Sequence, residues 1–251
     1  IKTFALDLEN YKPTLVATVP RVWESLYSRV QGAIRKKGGA APRVFRSLVW
    51  ASATYRRNKR VRKGRLPEYS SRSAGSSMLQ KALALATMVL ISPLYLIAKK
   101  RLAAVQQRFG GRMRLAVSGG GSLAAYLEEW IDAVGIRIVN AYGMTETSPA
   151  IAGRALNCRV FGTLGPPMPQ TDVRIVSEQG EELPAGSEGL IEVRGPQVTG
   201  GDYKNEEENS KSFCEDGFFK TGDLGKMTLS GELVITGRAK EIIVLASGEN
   251  I

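Results

Sequence analysis

Residues 113–140 read MRLAVSGGGSLAAYLEEWIDAVGIRIVN. Met113–Ser118 is an apolar run that reads as a strand, and Gly119–Gly121 reads as a tight turn. Leu123–Val134 has the periodicity of a helix, and Ile136–Asn140 is a second short apolar strand. Strand, helix and strand in that order form a βαβ unit, which implies a parallel sheet.

The same reading extends to both sides. Leu15–Val19 is a β-branched run with the character of a buried strand. Pro20 suits a first helical position. Val22, Trp23, Leu26, Tyr27, Val30 and Ile34 then recur at helical spacing, so the spacing predicts a helix to about Lys37, ended by Gly38-Gly39. Residues 43–65 form a second helical stretch that turns strongly basic, with Arg56, Arg57, Lys59, Arg60, Arg62, Lys63 and Arg65 close together. Ser70–Ser77 reads as a loop. Residues 82–98, ALALATMVLISPLYLIA, are uncharged. They are slightly short for a membrane span and are interrupted by Pro93, so a buried or membrane-resting helix is expected; Lys99-Lys100-Arg101 follows, and a helix continues to Phe109. After Gly162 the chain becomes β-rich, with strands expected at Val173–Val176, Gly189–Arg194, Lys226–Thr228 and Glu232–Ile235. The fold class is therefore α/β: a parallel sheet with helices over residues 1–161, carrying a basic and apolar helical insert at 42–109, followed by a small antiparallel β subdomain over 162–236.

Composition excludes several chemistries. The 251 residues contain no histidine, which rules out Ser-His-Asp and Cys-His catalysis and histidine-held metals within them. Cys158 and Cys214 lie far apart without CxxC spacing, so neither a disulfide framework nor a zinc site is expected. The net charge of +11 is concentrated. Residues 31–100 hold sixteen Lys/Arg and one acid, Glu68, so this segment carries +15 and the remainder −4. The chain starts at Ile1 without an initiator Met or signal pattern and ends beside the apolar run Ile242–Leu245; it reads as a fragment.

Four motifs follow one another in the second half: Ser118-Gly119-Gly120-Gly121-Ser122, Asn140-Ala141-Tyr142-Gly143-Met144-Thr145-Glu146-Thr147, Lys220-Thr221-Gly222-Asp223 and Thr236-Gly237-Arg238-Ala239-Lys240. Each alone is weak. Their order and spacing resemble the core motifs of the adenylate-forming superfamily, which holds acyl-CoA synthetases, peptide-synthetase adenylation domains and luciferases. Gly189–Pro196 adds a fifth match. Val19-Pro20-Arg21-Val22-Trp23-Glu24 is similar to the long-chain acyl-activating branch, and Ile243–Ile251 is similar to its plastid and bacterial long-chain acyl-CoA and acyl-acyl-carrier-protein synthetases.

The resemblance implies a site and two half-reactions. Gly119, Gly120 and Gly121 would lie against adenine and the acyl channel, since a glycine turn lets backbone approach a flat ligand. Asn140 belongs to the nucleotide-binding set. Tyr142 would stack on adenine, with Gly143 keeping the backbone open beside it. Thr145 would donate to a phosphate oxygen, and Glu146 would hold Mg²⁺. Asp223 would accept both ribose hydroxyls, with Arg238 as a second ribose contact. Lys240 would be the hinge to a C-terminal domain beginning within 237–251. The implied activity converts a long-chain fatty acid and ATP into acyl-AMP, then passes the acyl group to CoA or to the phosphopantetheine of acyl carrier protein. Thr145 and Glu146 are the implied catalytic residues. The family's phosphate loop and its catalytic lysine have no counterpart in these 251 residues, so adenylation by this piece alone is not expected. Plastid or cytoplasmic residence is implied by likeness alone, with peripheral membrane association through the insert.

Two other readings compete. Gly119-x-Gly121-x-x-Ala124 partly fits the dinucleotide fingerprint of an oxidoreductase, but the next strand ends in Asn140 rather than an acid. The basic cluster alternatively marks a binding module. No aromatic residue is interleaved within Arg56–Arg65, which disfavours nucleic acid. Next to the apolar stretch, an anionic membrane surface or an acidic carrier protein fits better.

Overall fold

A computed structural model describes residues 4–154 and 160–239, and their packing divides into two units. The first comprises Ile1–Leu66 and Arg72–Asn140; the second comprises Pro67–Ser71 and Ala141–Ile251. The division falls after Asn140.

In the first unit, α1 (Phe4–Tyr11) precedes β1 (Leu15–Thr18), and α2 (Pro20–Lys36) opens on the proline that the sequence places there. α3 (Ala41–Arg62) and α4 (Ala74–Gln107) form the insert, and β2 (Leu115–Ser118), α5 (Ala125–Ala133) and β3 (Ile138–Tyr142) follow. β1 pairs parallel with β2, and β2 parallel with β3, so the βαβ reading holds, with β2 and α5 shorter than expected and β3 shifted two residues on, to Ile138–Tyr142. Trp23, Leu102, Phe109, Leu127 and Ile131 are fully buried in one cluster, and Tyr27 meets Trp130 edge-on at 5.0 Å between ring centres. Burying side chains of this size contributes about 1.5–3 kcal/mol each, which is why the unit closes on α2 and α5.

Two expectations for the insert are corrected. Ser70–Ser77 is not all loop: α4 starts at Ala74, and the Ser73 hydroxyl caps it by accepting from the Ser76 N–H. Nor does Pro93 interrupt the apolar stretch. α4 runs unbroken for 34 residues with Pro93 inside it. Proline forfeits one helical hydrogen bond, and packing of α4 along α3 outweighs that loss, with Tyr55 stacked on Tyr95 at 3.8 Å. Two arginines of the basic cluster are used internally. Arg56 and Arg60 both hold Asp132 of α5, at 3.3 and 2.6 Å. Ser52 donates to Ala133 O at 2.6 Å and Gln106 to Val134 O at 2.8 Å, so side chains from α3 and α4 satisfy the carbonyls left open where α5 ends.

In the second unit, the last residues of β3 pair antiparallel with β4 (Ala152–Gly153). A separate antiparallel sheet is formed by β5 (Asp172–Val176), β6 (Gly189–Arg194), β7 (Phe219–Met227) and β8 (Leu233–Arg238), in that order, with the short α6 (Glu206–Ser212) before β7. The antiparallel subdomain is as expected, but β7 and β8 are longer than the sequence suggests. Lys220-Thr221-Gly222-Asp223 lies within β7. Its partner strand carries Arg238 in register with Asp223.

Candidate nucleotide site

The second unit brings three of the expected residues into direct contact. Tyr142, at the end of β3, donates its hydroxyl to Asp223 Oδ2 at 2.5 Å. Arg238 Nε donates to Asp223 Oδ1 at 3.0 Å. Asp223 is itself positioned by Thr221, whose hydroxyl donates to Ile191 O at 2.8 Å and accepts from the Asp223 N–H at 3.1 Å. Asp223 is 7% exposed, so its charge is held by a buried phenol and a guanidinium whose side chain remains 59% exposed. Burial, then the bond to Asp223, raises the Tyr142 pKa well above the ordinary tyrosine range, so the phenol stays a donor. A carboxylate offers about four acceptor positions. Tyr142 and Arg238 take up two of them.

The sequence reading gave Tyr142 a stacking role. The structure adds another: the ring belongs to the core of this unit with Ile151, Ile191, Val193 and Leu233, and its hydroxyl orients Asp223. For Gly143 the structure supplies a different reason. A Cβ at this position would lie 1.7 Å from Pro149 O and 2.8 Å from Ala150 Cα. The chain folding back on itself is by itself enough to require glycine here.

Thr145–Thr147 form a single 3-10 turn. Thr147, fully buried, ties it down: its hydroxyl accepts from the Met144 N–H at 3.1 Å and lies 3.0 Å from Met144 O and 3.1 Å from Pro149 O. The Glu146 carbonyl accepts from the Thr199 N–H at 2.7 Å. With the turn anchored by these bonds, the Thr145 and Glu146 side chains are left exposed. Thr147 and Thr221 are positioning residues that the motif reading did not single out; each sits inside a quoted motif, and only their burial distinguishes them.

The remaining expected residues lie in the first unit. Gly119 donates its N–H to Thr18 O at 3.2 Å. Gly120 has φ +70, a conformation that favours glycine. At Gly121 a Cβ would make only ordinary contact with Pro20, at 3.6 Å, so neither backbone nor packing demands glycine there. Asn140 on β3 is in register with Ser118 on β2. Asn140 Oδ1 and Ser118 Oγ are buried without a hydrogen-bond partner among the described residues. Unpartnered polar atoms at the carboxyl ends of parallel strands mark where such sheets take ligands. Lys240 lies outside the described residues, as does Cys158.

Among the described residues no group of three His, Cys, Asp or Glu converges into a metal cage. Glu146 is a single exposed carboxylate. That donor set fits a magnesium ion held mainly by phosphate oxygens and water, with one protein ligand.

The first unit is thus a parallel βαβ sheet with orphan polar groups at its strand ends, and the second carries an antiparallel sheet with a buried carboxylate held by a phenol and a guanidinium. The chain belongs to the AMP-binding enzyme family, whose pattern matches residues 1–203. It is 35% identical over 98% of its length to the long-chain-fatty-acid–[acyl-carrier-protein] ligase AEE15, chloroplastic, of Arabidopsis thaliana, covering 36% of that protein. It is 34% identical over its whole length to the long-chain-fatty-acid–CoA ligase FadD15 of Mycobacterium bovis, again covering 36%. The crystal structure of ATP-bound MatB from Rhodopseudomonas palustris superposes with a TM-score of 0.51 at 37% identity, over 62% of this chain and 32% of that one. The chain thus spans about a third of the length of the curated relatives it matches.

Proposed function

We propose that this chain supplies the adenosine-binding part of an ATP-dependent ligase that activates long-chain fatty acids. The observation that carries the reading is the Tyr142–Asp223–Arg238 cluster, which leaves acceptor positions on Asp223 suited to a ribose diol. In the first half-reaction a carboxylate oxygen of the acid bonds to the α-phosphorus of ATP and the bond to the bridging oxygen breaks, releasing pyrophosphate. In the second, a thiolate sulfur bonds to the acyl carbon, AMP leaves, and a thioester forms. Asp223 and Arg238 hold the ribose, and the turn Gly119–Gly121 and Asn140 serve the base. Thr145 offers a hydroxyl to phosphate. Glu146 would hold magnesium, which when bound neutralises charge developing on phosphate oxygens. Lys240 is assigned to the hinge.

The acceptor is CoA or the phosphopantetheine of acyl carrier protein. One relative is named for each, and both are thiols that require the same acyl-adenylate. The chloroplastic relative supports residence in a plastid. The competing dinucleotide reading lacks the acid after β3, where Asn140 and Tyr142 stand instead.

The test is binding of a non-hydrolysable acyl-adenylate, such as a long-chain acyl-sulfamoyl adenosine, to the 251-residue chain by calorimetry. Saturable binding that weakens roughly tenfold or more in Asp223→Asn is expected, since hydrogen bonds to a charged group contribute about 1.5–3 kcal/mol. Equal affinity in wild type and variant would refute the assignment.

A further inference from the structure

α4 is a helix of 34 residues, about 51 Å long at the usual rise. One stripe of it is buried: Ala84, Met88, Ile91, Ala98, Leu102 and Val105. The sequence expectation of a buried helix is therefore met along this stripe only. Leu83, Val89, Leu90, Leu96 and Ile97 are exposed, Leu90 at 85%. The helix is long and apolar enough to cross a membrane by length and composition, yet only 22% of its most apolar window is buried. Single exposed leucines are ordinary; five large aliphatic side chains along one uncharged stretch are a continuous apolar face. Exposed cations bracket it, with Lys81 at one end and Lys99, Lys100 and Arg101 at the other. Arg57, Lys59 and Arg62 of the adjoining α3 are also exposed.

We propose that the outer face of α4, flanked by these cations, docks the chain on the surface of an anionic lipid bilayer. Two features of the segment select this occupant. The segment 31–100 has a single acid among sixteen cations, so a second copy of the chain would bring like charge against like charge. An acidic protein would answer the cations but not 17 consecutive uncharged residues, 82–98. An anionic bilayer answers both, taking the aliphatic face into the headgroup and acyl boundary and the cations onto lipid phosphates. The buried stripe keeps α4 fastened along α3. The helix therefore lies on the membrane and does not traverse it. The inference stands on this surface and does not depend on the adenylate reading.

The test is co-sedimentation of the 251-residue chain with vesicles of phosphatidylcholine, with and without phosphatidylglycerol. Binding to the anionic vesicles is expected, reduced by high salt and released by alkaline carbonate. Leu83→Glu with Leu90→Glu should lower partitioning roughly tenfold or more while leaving circular dichroism and the melting temperature unchanged. Lys99→Glu with Lys100→Glu should abolish the preference for phosphatidylglycerol and its salt dependence. The proposal is overturned by failure to pellet with either vesicle, or by pelleting that the leucine variants do not change. Retention after carbonate would indicate a spanning helix. Lipid-free self-association lost in Leu90→Glu would assign the face to a second copy. Capture of an acyl carrier protein lost in the same variant, without vesicle binding, would assign it to that partner.

Discussion

The second unit's carboxylate site and the first unit's helical insert handle charge in opposite ways. Around Asp223 each polar group has a neighbour that fixes it: Tyr142 and Arg238 on its oxygens, Thr221 on its N–H. Across α3 and α4, Arg56 and Arg60 are drawn inward, to Asp132, while Arg57, Lys59, Lys99 and Lys100 stay exposed beside an apolar face. A pre-positioned carboxylate is what recognition of one small ligand needs, because the ordering is done before the ligand arrives. A spread of exposed cations is what adhesion to a diffuse charged surface needs. The contrast is between a site built for geometry and a face built for potential.

The comparison breaks most completely at Gly143. Gly143→Ala puts a Cβ against the backbone of Pro149 and should destabilise the second unit by about 3 kcal/mol, as overpacking of a rigid site does. Gly121→Ala meets only Pro20 at 3.6 Å and should change stability by about 0.5 kcal/mol or less. Urea unfolding of the two variants separates a glycine required by the fold from one the fold leaves unexplained. Next, Asp132→Ala strands two partly buried guanidinium groups between α3 and α5 and should cost about 2 kcal/mol in the same measurement. Loss of stability there without loss of adenylate binding would show the insert's internal ion pairs to be purely structural.

Tyr142→Phe is a smaller change. It removes one donor from Asp223 and should cost about 1–2 kcal/mol near neutral pH. Its pH dependence carries more information. The folded-state pKa of Tyr142 is raised above the ordinary tyrosine value of about 10, so above that pH the unfolded chain ionises while the folded chain does not. Stability from this group is full below pH 10 and is lost as pH rises beyond it, by up to about 1.4 kcal/mol per unit. Denaturation profiles of wild type and Tyr142→Phe should therefore converge above pH 10; parallel profiles would contradict the buried phenol–carboxylate bond.

Much of this was legible in the sequence. Hydrophobic periodicity located β1, α2, the βαβ unit and the antiparallel sheet, because each rests on local spacing. The motifs named Tyr142, Asp223 and Arg238. What stayed hidden was non-local. Tyr142 and Asp223 meet across 81 residues, and no spacing encodes that contact. Gly222 and Asp223 are poor strand formers, so local preference does not show them inside a strand, yet β6 and β8 hold β7 extended on either side. Pro93 reads as a break, and the length of the α3–α4 packing overrides it. Gly143 was assigned an open approach to ligand because sequence shows the absent side chain but not the carbonyl that fills its place.

The most direct measurement is the affinity of the chain for AMP against 2′-deoxy-AMP, in wild type and in Asp223→Ala. If Asp223 accepts the ribose diol, wild type prefers AMP by roughly tenfold, and the preference disappears in the variant because both nucleotides then lack the same acceptor. An AMP preference that survives in Asp223→Ala, or one that is absent from wild type, would contradict the account.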